Sequence, residues 1–263
     1  MEIIAYPFFQ RALAGIAIIS VAVAIIGVYI MSRRMVFISG GITHACFGGL
    51  GFGYWLGINP IAMAAVAAVA GSLGVQWLSG TRRVRSDSAI AVIWALGMAL
   101  GIMFIFMTEG YVPELNSFLF GNVLTVTNND LLYFSIFTGV LILVFTLFFR
   151  TIVAVAFDPD FARVSHLPVT LINTVMTVLV AVAIVLTIRL VGIMLLMSLL
   201  SLPQMIAETR YRRFSSLIFA SIAIALFGGA GGLFLAYILD VPASATIVLL
   251  LVVVYAVASV IKR

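Results

Sequence analysis

The chain has little charge, a single cysteine and only two histidines. Of its 263 residues, 9% are charged and 64% are hydrophobic, whereas a soluble domain usually has about 25% charged residues. Such a chain has too few polar residues to cover its surface in water, so lipid is the expected solvent. The single cysteine, Cys46, excludes an intrachain disulfide.

Motifs of membrane enzymes and of nucleotide binding are also absent. No Gly-x-Ser-x-Gly, His-Glu-x-x-His or phosphate-binding loop occurs, and no paired acids lie within the apolar runs. We therefore expect no catalytic residues and no stably bound cofactor. Any energy input has to come from a partner or an ion gradient, and the scarcity of intramembrane carboxylates disfavours an ion-driven carrier.

Long apolar runs predict an all-α, polytopic bundle of eight or nine transmembrane helices. A helix needs about 20 residues to cross the hydrocarbon core. The predicted spans are 11–32, 37–56, 60–79, 88–108, 130–149, 169–188, 190–207, 214–238 and 243–261. Because these runs leave no segment for a soluble domain, residues 1–263 are expected to form a single transmembrane domain.

Basic residues predict the orientation of the spans. With nine spans, twelve lysines and arginines lie in loops on one side of the membrane, and only Arg11 and Arg189 lie on the other. The positive-inside rule places the richer side in the cytoplasm. The N-terminus is then expected outside and the C-terminus in the cytoplasm.

Two connecting segments are longer than simple turns. The outer segment 109–130 is too short to span and too apolar to be fully solvated, which favours a re-entrant or interfacial helix. The inner segment 151–167 has Pro159 between two acids, a common signal for a helix N-terminus. We expect a short cytoplasmic helix there, and its apolar Phe157, Phe161 and Val164 suggest a protein partner.

The second predicted span combines a histidine with a stripe of small residues. His44 is costly inside a membrane, which suggests a function, and imidazole is a common metal ligand. The alternative is a neutral histidine that is hydrogen-bonded across a helix interface. Small residues recur every four positions beside it and predict close packing with a neighbouring helix: Gly41, Ala45, Gly49 and Gly53.

The seventh predicted span has a polar face and a proline. Ser198, Ser201 and Gln204 follow one another at intervals of three, and Pro203 is expected to kink the helix. Polar faces in membrane helices usually form only interhelical hydrogen bonds. For the segment as a whole we favour the alternative of a broken helix beside a transport pathway.

Several short motifs, taken together, are similar to those of one known family. In chain order they are Arg33-Arg34-Met35-Val36-Phe37, Thr43-His44-Ala45, Gly57-Ile58-Asn59-Pro60, Asp87-Ser88-Ala89-Ile90, Gly110-Tyr111, Leu119-Phe120-Gly121-Asn122-Val123-Leu124, Phe157-Asp158, Phe161-Ala162, Val191-Gly192, Ser198-Leu199-Leu200, Leu202-Pro203 and Asp240-Val241-Pro242-Ala243-Ser244-Ala245-Thr246. In this order and spacing the chain resembles, from about residue 7 to 260, the permease of zinc/manganese/iron-type ABC importers, the ABC-3 family.

The resemblance implies an assembly around this subunit. The expected unit is a homodimer with the translocation path at its interface, and divalent zinc, manganese or iron is the transported substrate. Two copies of a cytoplasmic ATPase are expected on the inner face, and a metal-binding protein or lipoprotein on the outer face. The implied location is the bacterial cytoplasmic (inner) membrane, with no nucleic-acid partner.

Residue roles follow from this interpretation. The metal path is predicted to include His44, Thr43, Ser198 and Ser201. The resemblance also implies a coupling helix over about 157–167. Its predicted contacts with the ATPase are Phe157, Asp158, Phe161, Ala162 and Leu167.

Two positions depart from the family pattern. The family usually has an acid four residues before the second-span histidine, where this chain has Gly40, so an anionic ligand is missing. The coupling helix usually has a glycine where this chain has His166, interpreted as a solvated residue at the helix end. The alternatives are a siderophore or cobalamin permease, usually a longer chain, and a stand-alone channel or ion-driven carrier.

Overall fold

All regular secondary structure in the described residues is helical. The structure is a computed structural model that describes residues 5–80, 84–110, 121 and 126–261. In chain order its helices are α1 (Pro7–Ser32), α2 (Ile38–Leu56), α3 (Pro60–Gly80), α4 (Ser86–Met107), α5 (Asn128–Phe157), α6 (Pro159–Val164), α7 (Val169–Leu199), α8 (Leu202–Glu208), α9 (Phe214–Leu239) and α10 (Ala243–Ile261). The predicted all-α class is confirmed.

Eight helical segments of the described chain are long and apolar enough to cross a membrane. Two of them, Val169–Ile188 and Leu190–Glu208, follow each other along α7 and α8. α2 is not among the eight because its glycines and His44 lower its hydropathy, but it has 19 residues and most of them are buried. The chain is therefore a multi-pass membrane protein with the predicted eight or nine spans.

One compact unit combines the described residues of Met1–Met31, Asn116–Leu147 and Leu186–Arg263. Here α8, α9 and α10 pack on one another. α1 is largely buried, and the ring of its Phe9 lies 5.1 Å from that of Phe234 on α9. The apolar helix α1 therefore contributes much of the core of this unit.

The second unit combines the described residues of Ser32–Leu115 and Phe148–Val185. In this unit α2 packs on both α3 and α4. Two hydrogen bonds tie further elements together: Gln76 Nε2 donates to Thr174 Oγ1 at 3.2 Å, and Arg33 Nη1 donates to the Val155 carbonyl at 3.0 Å. The second bond fixes the link after α1 to the end of α5.

Capping residues define the turn between α2 and α3. Gly57 ends α2 with a left-handed backbone, φ 67°. Asn59 Oδ1 then accepts hydrogen bonds from the N–H groups of Ile61 and Ala62 at 3.0 and 3.2 Å. Pro60 begins α3, where its missing N–H costs nothing. The sequence segment Gly57–Pro60 thus encodes the end of one helix and the start of the next.

The structure changes two expectations about boundaries and leaves a third untested. α5 extends beyond the predicted span 130–149 to Phe157, with non-helical backbone at Phe148. α7 runs through the predicted boundary between the sixth and seventh spans, with non-helical backbone at Gly192. Most of the predicted outer segment 109–130 lies outside the described residues.

Candidate functional site

α2 and α4 approach each other closely at two glycines of α4. A Cβ atom at Gly97 would overlap the His44 carbonyl, and one at Gly101 would overlap the Phe47 ring. The two glycines are four residues apart, the spacing at which small residues let membrane helices touch. Gly97 and Gly101 were not among the predicted packing residues, although their four-residue spacing is a signal for such a contact.

This contact places the His44 side chain on an aromatic ring. The imidazole stacks on the Trp94 indole with ring centroids 4.4 Å apart and an interplanar angle of 24°. The Nδ1 atom of His44 is buried and has no hydrogen-bond partner among the described residues. A buried polar atom without a partner costs free energy, so Nδ1 does not make the cross-helix hydrogen bond of the alternative interpretation.

The predicted stripe of small residues lies against both neighbours of α2. Gly41 packs on Ile90 of α4. The other three pack on α3: Ala45 lies against Gly71, Gly49 against Met63 and Gly53 against Pro60. At Gly49, an added Cβ would overlap the Met63 carbonyl oxygen. Backbone contact of this kind leaves no room for larger side chains.

The hydroxyl groups of the predicted metal path bond to their own helices. Thr43, Ser198 and Ser201 donate to the carbonyls four residues earlier, Ser39, Met194 and Met197, at 2.6, 3.3 and 2.7 Å. Such local bonds are common for serine and threonine in membrane helices. Thr43 is fully buried, whereas the two serines are half-buried. His44 and Thr43 belong to one unit and the serines to the other.

Two breaks in the helical backbone lie close to Ser198 and Ser201. Gly192 has φ 74° and ψ 173°, a conformation essentially confined to glycine. The second break separates α7 from α8 at residues 200–201. Pro203, predicted as a kink, lies in the first turn of α8, so the chain is already broken before the proline.

Gln204 connects the second break to α1. Its side chain is fully buried, and its Nε2 donates to the Val23 carbonyl at 2.9 Å and to the Leu199 carbonyl at 3.3 Å. Gly27 on α1 makes room for it, because a Cβ there would overlap Nε2. Gln204 thus holds the start of α8 against α1.

Potential metal ligands are sparse in the described residues. No group of three or more histidine, cysteine, aspartate or glutamate side chains is close enough there to hold a metal ion. A cavity of about 440 Å³ lies between α2, α3 and α4, lined by apolar residues and glycines. Among the side chains that line this cavity, the Met63 thioether is the one that could bind a metal ion, and His44 is not in the lining.

The predicted coupling segment contains the helix α6. Asp158 caps it by accepting a hydrogen bond from the Phe161 N–H at 2.9 Å. Phe157 and Phe161 are 60% and 61% exposed, whereas Ala162 is fully buried. α6 therefore rests on its unit through Ala162, while Phe161 of α6 and Phe157, the last residue of α5, are exposed.

The end of α6 explains one departure from the family pattern. The Leu167 N–H donates to the Ala162 carbonyl and the His166 N–H to the Arg163 carbonyl, both at 3.0 Å. His166 is left-handed, with φ 56°. These bonds form a Schellman motif, in which the left-handed position favours glycine.

Similarity to known proteins extends along the whole chain. The "Probable metal transport system membrane protein" of Chlamydia pneumoniae is 34% identical over 267 residues, which cover 99% of this chain and 90% of the relative. The "Manganese transport system membrane protein MntC" of Halalkalibacterium halodurans is 28% identical, with coverage of 98% and 88%. The solved structure "PsaBC from Streptococcus pneumoniae in complex with Fab" is 25% identical, with a TM-score of 0.85 and coverage of 98% and 92%. The model of the ABC 3 transport family matches residues 5–262, so the chain belongs to this family of membrane permeases of ABC transporters.

Proposed function

We propose that the chain is the permease of an ATP-driven importer that moves divalent zinc, manganese or iron by alternating access. The observation that carries the proposal is the environment of His44. This lone membrane imidazole stacks on Trp94, and its Nδ1 has no hydrogen-bond partner among the described residues. The names of two relatives, which refer to metal and manganese transport, support the same substrate class.

The chemistry around His44 suits a transient ligand. Imidazole binds zinc, manganese and iron. The position four residues earlier is Gly40, so α2 supplies no carboxylate one turn away. A metal ion held without an anionic partner on this helix binds weakly, and weak binding favours passage over storage.

The proposed transporter is a homodimer with the metal path at the subunit interface. Each copy would contribute His44 and Thr43, together with Ser198 and Ser201. A separate ATPase would bind on the cytoplasmic face, and a metal-binding protein or lipoprotein would deliver the ion outside. Because the chain has no phosphate-binding loop, the energy source has to lie on another subunit.

The role of His44 is tested by metal uptake. The chain is reconstituted with its ATPase and binding protein, and the uptake of zinc, manganese and iron is measured over a range of concentrations. We expect His44→Ala to reduce uptake at low metal concentration by about tenfold, as loss of a metal contact does. Cys46→Ala, two residues along the same helix, is the matched control and should leave uptake unchanged. Equal uptake by both variants for every metal would rule out the ligand role.

The exposed face of α6 is the proposed docking point for the ATPase. Phe161 lies on α6, a helix too short to span the membrane, and Phe157 ends α5 just before it; both rings are exposed. Exposed apolar rings outside the membrane indicate a protein partner. The bond from Arg33 to the Val155 carbonyl anchors the residues that precede α6. A displacement of α6 would therefore be transmitted through the end of α5 and Arg33 to the start of α2.

The proposed orientation places α6 and the C-terminus in the cytoplasm. It requires nine spans, with α2 as a full crossing, because eight would bring both termini to the same side. A fluorescent protein fused to the C-terminus should then fold and fluoresce in the cytoplasm. Activity of an alkaline phosphatase fused at the same point would show the reverse orientation.

A further inference from the structure

An apolar cavity of about 580 Å³ lies between α8, α9 and α10, within a single unit. Its volume falls in the range of about 300–1,000 Å³ that is typical of small-ligand sites. Most of its lining is apolar and includes Ile206, Ile224, Val253, Val257, Ala258 and Ile261. Val257 and Ile261 are 53% and 69% exposed, so the cavity is open to its surroundings. In a membrane, those surroundings are lipid.

Polar side chains line the same cavity where three helices end or begin. Thr209, Arg210 and Tyr211 contribute to its wall and connect the end of α8 to the start of α9. The last residue of α10, Ile261, is also in the lining. Ile224 lies ten residues into α9, so the apolar part extends about 15 Å along that helix at 1.5 Å per residue. The cavity thus has a polar end at the helix termini and an apolar part within the bundle.

The polar end has an excess of positive charge. Glu208 is the single acid near it in the sequence, and it pairs with Arg212 at 3.7 Å. Among the described residues, Arg210 and Tyr211 form hydrogen bonds only through their backbone N–H groups, both to the Ala207 carbonyl. The Arg210 guanidinium and the Tyr211 hydroxyl therefore remain available to a ligand. Arg213, the N-cap of α9, makes no side-chain capping bond, so this helix N-terminus also favours an anion.

We propose that this cavity binds an anionic phospholipid. The phosphodiester lies against Arg210 and Tyr211, and one acyl chain follows α9 and α10. Guanidinium groups bind phosphate through strong, charge-assisted hydrogen bonds, and basic sites between membrane helices are suited to anionic headgroups. The inference does not depend on the transported substrate, since none of the proposed metal-path residues lines the cavity.

Native mass spectrometry of the detergent-purified full-length chain, with phosphatidylglycerol or phosphatidylcholine added, tests the proposal. We expect preferential retention of phosphatidylglycerol. The double variant Arg210→Gln/Tyr211→Phe should weaken this retention about tenfold, the scale of one lost charge-assisted contact. Arg85→Gln removes the same charge from a residue outside the cavity and should have no effect. Equal retention of both lipids, or equal loss in the two charge variants, would overturn the proposal.

A second pair of variants tests the acyl-chain part of the site. Ala258→Phe fills the cavity and should displace phosphatidylglycerol, whereas Ala256→Phe, on the same helix but not in the lining, should not. Phosphatidylglycerol should also raise the Tm of the wild type and of Ala256→Phe, and not the Tm of Ala258→Phe. If Ala258→Phe instead changed the oligomeric state and left lipid retention intact, the cavity would be an interface between copies of the chain, and the lipid proposal would be wrong.

Discussion

His44 and Gln204 each have a buried polar atom without a partner among the described residues, Nδ1 and Oε1 respectively. An unpaired atom of this kind costs about 1–3 kcal/mol. Gln204 offsets the cost because its amide nitrogen donates to two carbonyls across a helix break. Within the described part of the chain, no comparable hydrogen bond involves the His44 ring, which stacks on Trp94. This difference is why Gln204 is interpreted as structural and why a ligand role is proposed for His44.

The left-handed backbone of His166 predicts a stabilising substitution. At φ 56° a non-glycine residue costs about 1–2 kcal/mol, and the greater flexibility of glycine in the unfolded chain returns part of this. We expect His166→Gly to stabilise the folded chain by about 0.5–1 kcal/mol and to raise the Tm by about 2 °C. Ser165→Gly, at φ −79°, is the control and should not raise the Tm. A lower Tm for His166→Gly would argue against the left-handed cap.

At the residue scale, the sequence indicated which polar side chains are unusual in a membrane helix, but it did not predict what those side chains contact. A histidine in an apolar run is visible without a structure, because such a residue is costly in lipid. Its stacking partner Trp94 was not predictable, since the pairing depends on the exact rotation of α2 against α4. The polar face of Ser198 and Ser201 was visible, but not the donation of both hydroxyls to their own helix.

The break in α7 shows how this chain divides one long apolar run into two membrane segments. The sequence placed a boundary between residues 188 and 190, whereas the helix continues past it and its backbone breaks at Gly192. Gly121 lies directly against this break, because a Cβ there would overlap the Val191–Gly192 peptide. Hydropathy reports which residues prefer lipid and carries little information about backbone angles, so it could not locate the break.

A substitution at Gly192 tests this break. With φ 74° and ψ 173°, an alanine there is strained by about 1–3 kcal/mol, so Gly192→Ala should lower the Tm by several degrees. Gly139 is the matched control, because it lies inside α5 with open space around the position of a Cβ. Gly139→Ala should be neutral or stabilise the helix by up to about 1 kcal/mol. Equal effects of the two substitutions would mean that the backbone at Gly192 is helical.

Turn motifs were the part of the fold that the sequence encoded most directly. Gly57, Asn59 and Pro60 end one helix and begin the next with their own backbone and side-chain preferences. The pairing of α2 with α4 through Gly97 and Gly101 was less direct, because a glycine pair signals a close contact but not its partner. Apart from α5 and α7, the ends of the described helices were therefore predictable to a few residues, while the packing partners of each helix required the structure.

At the scale of the whole molecule, the chain is a multi-pass membrane protein of a permease family, and 64% of its residues are hydrophobic. Its described residues include a glycine-rich helix, α2, with one imidazole, and two exposed phenyl rings where α5 ends and α6 begins, Phe157 and Phe161. These features fit a subunit that forms a path and receives force from a partner. Phe161→Ser should accordingly uncouple ATP hydrolysis from metal uptake while the chain still folds.

Metal uptake measured together with ATP hydrolysis tests this account most directly. Vesicles that contain the chain, its ATPase and its binding protein are supplied with zinc, manganese or iron, with and without ATP. We expect ATP-dependent accumulation of at least one metal, which is lost when the ATPase is omitted and when Phe161→Ser replaces the wild-type chain. Metal accumulation by the chain alone, at the same rate with and without the ATPase, would contradict the account and identify a channel or carrier.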